Sequence, residues 1–95
     1  MNSSVTARNN PYPITMSTIS YLIEADSTAG PITINLPNMS TYQVITVKDV
    51  GGVASANNIT VVPWIGTIDG DVSSVLYVNY QSINFYFDGS NYYSV

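Results

Sequence analysis

The sequence predicts an all-β fold of short antiparallel strands, arranged as a sandwich or β-prism-like unit and completed by homotrimerisation. Three observations predict it. Apolar and polar residues alternate over short runs. Turn-forming Gly, Pro, Asn and Asp recur about every ten residues, as in sandwiches and barrels. No window carries an apolar 3.6-residue period between helix caps.

The chain divides into an N-terminal arm or linker, residues 1–18, and one β-domain, residues 19–95. The arm is polar and contains Pro11-Tyr12-Pro13, where proline fixes φ and pushes the preceding residue to extended geometry. Ile19, Tyr21, Ile23 and Ala25 then alternate with Ser20, Glu24 and Asp26, the pattern of a half-buried strand with Leu22 as its exception. Ala29-Gly30-Pro31 turns the chain. Ile32, Ile34 and Leu36 alternate with Thr33 and Asn35 until Pro37. Residues 44–47 form a strand with Ile45 and Val47 on one face, and Gly51-Gly52 breaks it. Asn57-Asn58 is a tight turn, since Asn tolerates positive φ.

Residues 59–65 make a strand containing Pro63, which belongs at a sheet edge or a strand end. Residues 67–70 are a short extended piece closing in Asp69-Gly70. Residues 72–80 predict a longer strand with Leu76, Val78 and Tyr80 on one face. Ile83, Phe85 and Phe87 share a face of the next, Asp88-Gly89 is a hairpin turn, and residues 92–95 close the chain. Two short echoes recur: Ile-Thr-Ile-Asn-Leu-Pro at 32–37 with Ile-Thr-Val-Val-Pro at 59–63, and Ile-Asp-Gly at 68–70 with Phe-Asp-Gly at 87–89. They are too short to establish a duplicated unit.

At 95 residues a chain has room for one small core, and such domains commonly need disulfides, a metal or association. The sequence has no Cys and no His, which removes disulfides and the usual ligands of zinc, haem and iron–sulfur centres. Association is the supplement that remains. Charged residues are 8% of the chain, against about a quarter in typical soluble domains. Arg8 and Lys48 are the only cations and the net charge is −4, which argues against nucleic acid and anionic membranes as partners. The longest apolar run, residues 75–78, is far below the ~20 residues that span a bilayer. The first residues do not have the pattern of a signal peptide.

The catalytic inventory is thin. Without His or Cys, the common nucleophilic triads cannot form, and no cofactor or metal site is expected. Six acids remain, and Asp26, Asp69, Asp71 and Asp88 stand at turn-like positions where the side chain caps backbone N–H groups. Asp69-Gly70-Asp71 supplies hard oxygen ligands but lacks the full pattern of a calcium loop. Lys48, beside Asp49 after an apolar strand, suits an ion pair at a strand end better than a ligand contact. Gly51-Gly52 has neither the spacing nor the following helix of a phosphate loop. Eight tyrosines and Trp64 suit sugar stacking, strand faces or subunit interfaces. Trp64, Tyr77, Tyr86 and Tyr92 are the candidate glycan or interface contacts. Tyr86 points away from Phe85 and Phe87, so it faces solvent or another chain.

The segments Tyr21-Leu-Ile-Glu-Ala-Asp, Gly30-Pro-Ile-Thr-Ile-Asn-Leu-Pro37, Ile45-Thr-Val-Lys-Asp49, Gly51-Gly52, Asn57-Asn58-Ile-Thr-Val61, Thr67-Ile-Asp-Gly70 and Phe87-Asp-Gly89-Ser-Asn-Tyr-Tyr93 stand in a telling order. The order resembles a module of phage tail fibres, tail spikes and other virion fibre proteins, over residues 19–95. In that family a Trp often stands where Tyr92 or Tyr93 stands here. The resemblance implies intertwined or side-by-side trimers on a fibre axis, and it carries over no binding residue. The expected function is structural and receptor-attaching, at the virion surface, as a homotrimer without catalysis that touches a host glycan or protein. The alternative is a monomeric carbohydrate-binding module from a larger enzyme or adhesin.

Overall fold

The structure, a computed structural model, describes residues 4–8, 14–15 and 22–95. Nine strands follow one another: β1 (Ser4–Arg8), β2 (Ile14–Thr15), β3 (Leu22–Asp26), β4 (Ile32–Asn35), β5 (Val44–Asp49), β6 (Ile59–Val62), β7 (Ser74–Leu76), β8 (Ser82–Phe87) and β9 (Tyr92–Ser94). Among the described residues there is no helix, and the fold is all-β as expected. Pro11, Tyr12, Pro13, Ile19 and Tyr21 lie outside the described residues.

One sheet has the order β1-β3-β5-β8-β9 and the other β2-β4-β6-β7. The expected antiparallel arrangement holds only for the C-terminal part: β5 with β8, β6 with β7, and β8 with β9. The pairings β1 with β3, β2 with β4, β3 with β5 and β4 with β6 are parallel. A parallel pair cannot be joined by a tight turn and needs a crossover. Here the crossover is a strand of the opposite sheet. The chain therefore winds as three stacked coils, each contributing one strand to each sheet, and antiparallel strands close the stack. Two strands of the stack, β1 and β2, come from the segment assigned to the arm.

The echo between residues 32–37 and 59–63 is the register of two adjacent coils. Ile32 stands beside Ile59, Thr33 beside Thr60 and Ile34 beside Val61. Like side chains stacked on parallel strands keep the same face inward along the ladder. Both cations also stand beside acids in register, Arg8 with Asp26 and Lys48 with Glu24.

Alternation within each strand places one set of side chains between the sheets. Ile23, Ala25, Ile45, Val47 and Phe85 from one sheet, and Ile32, Ile34, Ile59, Val61 and Leu76 from the other, are buried. Each large aliphatic or aromatic side chain buried this way contributes about 1.5–3 kcal/mol. The second sheet of the same chain thus covers the apolar face that the sequence reading assigned to neighbouring chains. Phe85 and Phe87 are buried on the face expected of them, with Ile83 partly buried against the same core.

Two expected elements come out differently. The strand foreseen over 72–80 is only Ser74–Leu76. Gln81 ends it, because its side-chain oxygen accepts the N–H groups of Tyr77 and Val78 and holds the chain in a turn. Asn57 does not serve as a positive-φ turn residue; outside glycine, that conformation belongs to Tyr42, Asp69 and Tyr80 among the described residues. The Asn57 amide instead donates to the Ser27 carbonyl at 2.8 Å, and the buried Ser27 hydroxyl donates to the Asn57 carbonyl at 2.8 Å. This reciprocal pair ties the turns of two neighbouring coils. Pro63 follows β6 directly and marks a strand end.

Candidate functional site

The winding gathers the connections at two ends. Turns 27–31, 50–58 and 77–81 lie at one end, and connections 36–43, 63–73 and 88–91 at the other.

Asp49 organises the first end. In β5 the inward positions are Ile45, Val47 and Asp49, so strand alternation carries a carboxylate into the interior, where it is fully buried. Its Oδ1 accepts the Gly52 N–H at 3.0 Å, and its Oδ2 accepts the N–H groups of Ala54 at 3.1 Å and Tyr80 at 2.9 Å. Asp49 is therefore a brace between turns 50–58 and 77–81. Lys48, expected in an ion pair, donates instead to the Tyr80 carbonyl and lies 5.9 Å from the centre of the Tyr80 ring. Tyr80 covers Gly52, whose φ is +74°. Gly52→Ala introduces a Cβ 2.3 Å from the Tyr80 ring in a backbone conformation that disfavours side chains. It is expected to cost about 1–2 kcal/mol, read as a lower urea midpoint with unchanged slope.

Of the carboxylates at the turns, Asp26 and Asp88 cap their own turns, whereas Asp69, expected to cap, reaches Ser94 in β9. Asp26 accepts the Thr28 N–H at 3.1 Å, and Asp69 accepts the Ser94 N–H at 3.1 Å. Asp69-Gly70 has positive φ at both positions, with Ile68 and Asp71 exchanging backbone hydrogen bonds, the geometry of a two-residue hairpin turn. Asp71 contributes there through its backbone. Among the described residues no three His, Cys, Asp or Glu side chains gather to hold a metal.

Asp88 caps the β8–β9 turn by accepting the Ser90 and Asn91 N–H groups, each at 2.8 Å. The Asn91 N–H, then that of Ser90, and the Tyr93 hydroxyl hold its carboxyl below the ordinary value of 3.8. A depressed folded pKa means a stabilising contribution that is present above pH 3.8 and lost as pH falls through the lower folded value. Asp88→Asn is expected to flatten the acid limb of the stability–pH curve in that window, measured by thermal melts between neutral pH and about pH 2.

The aromatic side chains separate by position. Trp64 and Tyr77 are exposed, at opposite ends of the molecule. Tyr86 is half-buried on the outer face of its sheet, between Tyr42 and Tyr93, with ring centres 6.3 and 5.6 Å away. Tyr92, named as a surface contact, is a core residue. It is fully buried, its ring lies 4.8 Å from that of Phe87, and its hydroxyl donates to the Pro37 carbonyl at 2.6 Å. Tyr92 points inward because the hairpin register sets it beside Phe87 and sets Tyr93 beside Tyr86. The two-residue hairpin expected at Asp88-Gly89 would have paired Tyr86 with Asn91; the connection is four residues long, 88–91, and this sets Tyr86 beside Tyr93. Tyr42 joins them through a positive-φ connection that no sequence pattern announced.

The four candidates are thus not brought into one site. The structure assembles a different set, Tyr42, Tyr86 and Tyr93, with Asp88 beside Tyr93. Compared with known proteins, the chain matches no family model, and no curated protein shows significant similarity to it.

Proposed function

We propose that this chain is a structural and receptor-attachment module of a viral fibre or tail-spike-like protein, acting at the virion surface as a homotrimer without catalysis. The observation that carries the reading is the placement of exposed apolar side chains at the two ends of a stacked β-fold. Trp64 and Ile65 lie at one end, and Tyr77, Val78 and Tyr80 at the other. A chain with two cations has little charge to keep such ends apart from copies of itself. The motif order of residues 19–95 supports the fibre setting. The absence of His and Cys from the sequence supports a binding role over catalysis.

Light scattering coupled to gel filtration tests the trimer. The expected mass is three times 10.3 kDa. A single-chain mass at both micromolar and nanomolar loading, with a concentration-independent melt, overturns it. The reading as a monomeric carbohydrate-binding module is favoured by one specific observation: the two sheets of a single chain already enclose the core.

A further inference from the structure

We propose that the Tyr42–Tyr86–Tyr93 row is a binding surface for a neutral polysaccharide. The inference deepens the attachment reading, on which its biological role rests, by naming the ligand class and the contact residues. Tyr42 is 72% exposed, and the rings are tilted by 50° and 32° to their neighbours, so they form a twisted strip of ring faces and not a closed stack. Apolar ring faces suit the C–H faces of pyranose sugars, and the phenol hydroxyls and the Asp88 carboxylate accept hydrogen bonds from sugar hydroxyls. One step along the same sheet face, Thr46 donates to the Asn84 side-chain oxygen at 2.6 Å, which leaves the exposed Asn84 amide its NH2 donor. Ring faces in a row with polar groups alongside fit an extended chain lying on the sheet.

Charge and area select this occupant. The carboxylate beside Tyr93 disfavours an anionic polymer. Lys48 is engaged with Tyr80 at the other end of the molecule. A protein partner needs about 800 Å² from each side, with an apolar centre. Three tyrosines, each able to bury about 150–250 Å² in total, fall short of that. Two of the three are already half-buried, and the exposed Val44 and Val95 beside them are interrupted by polar Thr46 and Asn84 and by charged Glu24 and Lys48, so the apolar ground is broken.

Native affinity electrophoresis of the full chain tests the proposal, in gels containing mannan, galactomannan, xyloglucan or dextran, with alginate as the anionic comparison. Retardation is expected in at least one neutral gel and not in alginate. Tyr42→Gly removes a ring at a positive-φ position that glycine tolerates, and Tyr93→Thr suits a strand. Each is expected to weaken binding by about tenfold while circular dichroism stays unchanged. Thr33→Ser, on the outer face of the opposite sheet, is expected to bind as the parent does. No retardation in any neutral gel overturns the inference, as does equal retardation of both ring variants or stronger retardation in alginate. The mass measurement is separate: a retarded monomer keeps this inference and overturns the trimer, and an unretarded trimer does the reverse.

Discussion

Asp49→Ala is expected to lower the unfolding free energy by about 4 kcal/mol, and Asp49→Asn by roughly half of that, in urea titrations at neutral pH. Alanine leaves the N–H groups of Gly52, Ala54 and Tyr80 without their acceptor. A buried donor without a partner costs about 1–3 kcal/mol, so three such losses, partly relieved by water at the exposed Tyr80 turn, sum to several. Asparagine keeps one oxygen, which serves the two N–H groups now on Oδ2, and sets its own NH2 against the Gly52 N–H. A small domain holds about 5–15 kcal/mol in total, so the alanine variant sits close to unfolding at room temperature. A loss below about 1 kcal/mol for alanine contradicts the brace role. Loosening should reach both turns together: amide exchange at Gly52, Ala54 and Tyr80 is expected to rise in step, because one carboxylate holds all three.

Tyr92→Ala is the second large effect, with an expected loss of about 3–5 kcal/mol from removing a fully buried aromatic ring. Tyr92→Phe keeps the ring and loses only the hydrogen bond to the Pro37 carbonyl, at a cost of about 1–2 kcal/mol. The gap between the two variants separates a core role from a surface role. A ligand-contacting tyrosine gives small stability losses in both. Burial also raises the Tyr92 phenol above 10.0, partly offset by the Trp64 backbone N–H. The folded state therefore disfavours ionisation, and stability falls as pH rises above about 10. Tyr92→Phe is expected to shift the midpoint of that alkaline loss upward.

The all-β character and much of the core were legible in the sequence. Ile32, Ile34, Ile45, Val47, Phe85 and Phe87 are inward because a strand alternates its faces, a rule that needs no knowledge of neighbours. Asp26 and Asp88 cap turns for an equally local reason, whereas the Asp69 carboxylate, expected to do the same, reaches Ser94 across the fold. The same alternation put Asp49 inside, yet the residue type argued for the surface. Only the arrival of turns 50–58 and 77–81 over β5 supplies the N–H groups that make its burial tolerable.

What the sequence alone determined is which residues extend, which turn and which face is apolar, since these follow from interactions within a few residues. Which strands stand side by side, and whether they run parallel, was decided by the tertiary structure. Both arrangements accept the same alternation, and the choice depends on long crossovers through the opposite sheet. The exchange of Tyr92 for Tyr42 and Tyr93 on the surface has the same origin. An aromatic residue suits a core and a sheet face alike; the register between β8 and β9 assigns Tyr92 and Tyr93 their sides, and the positive-φ connection before β5 brings Tyr42 to the outer face.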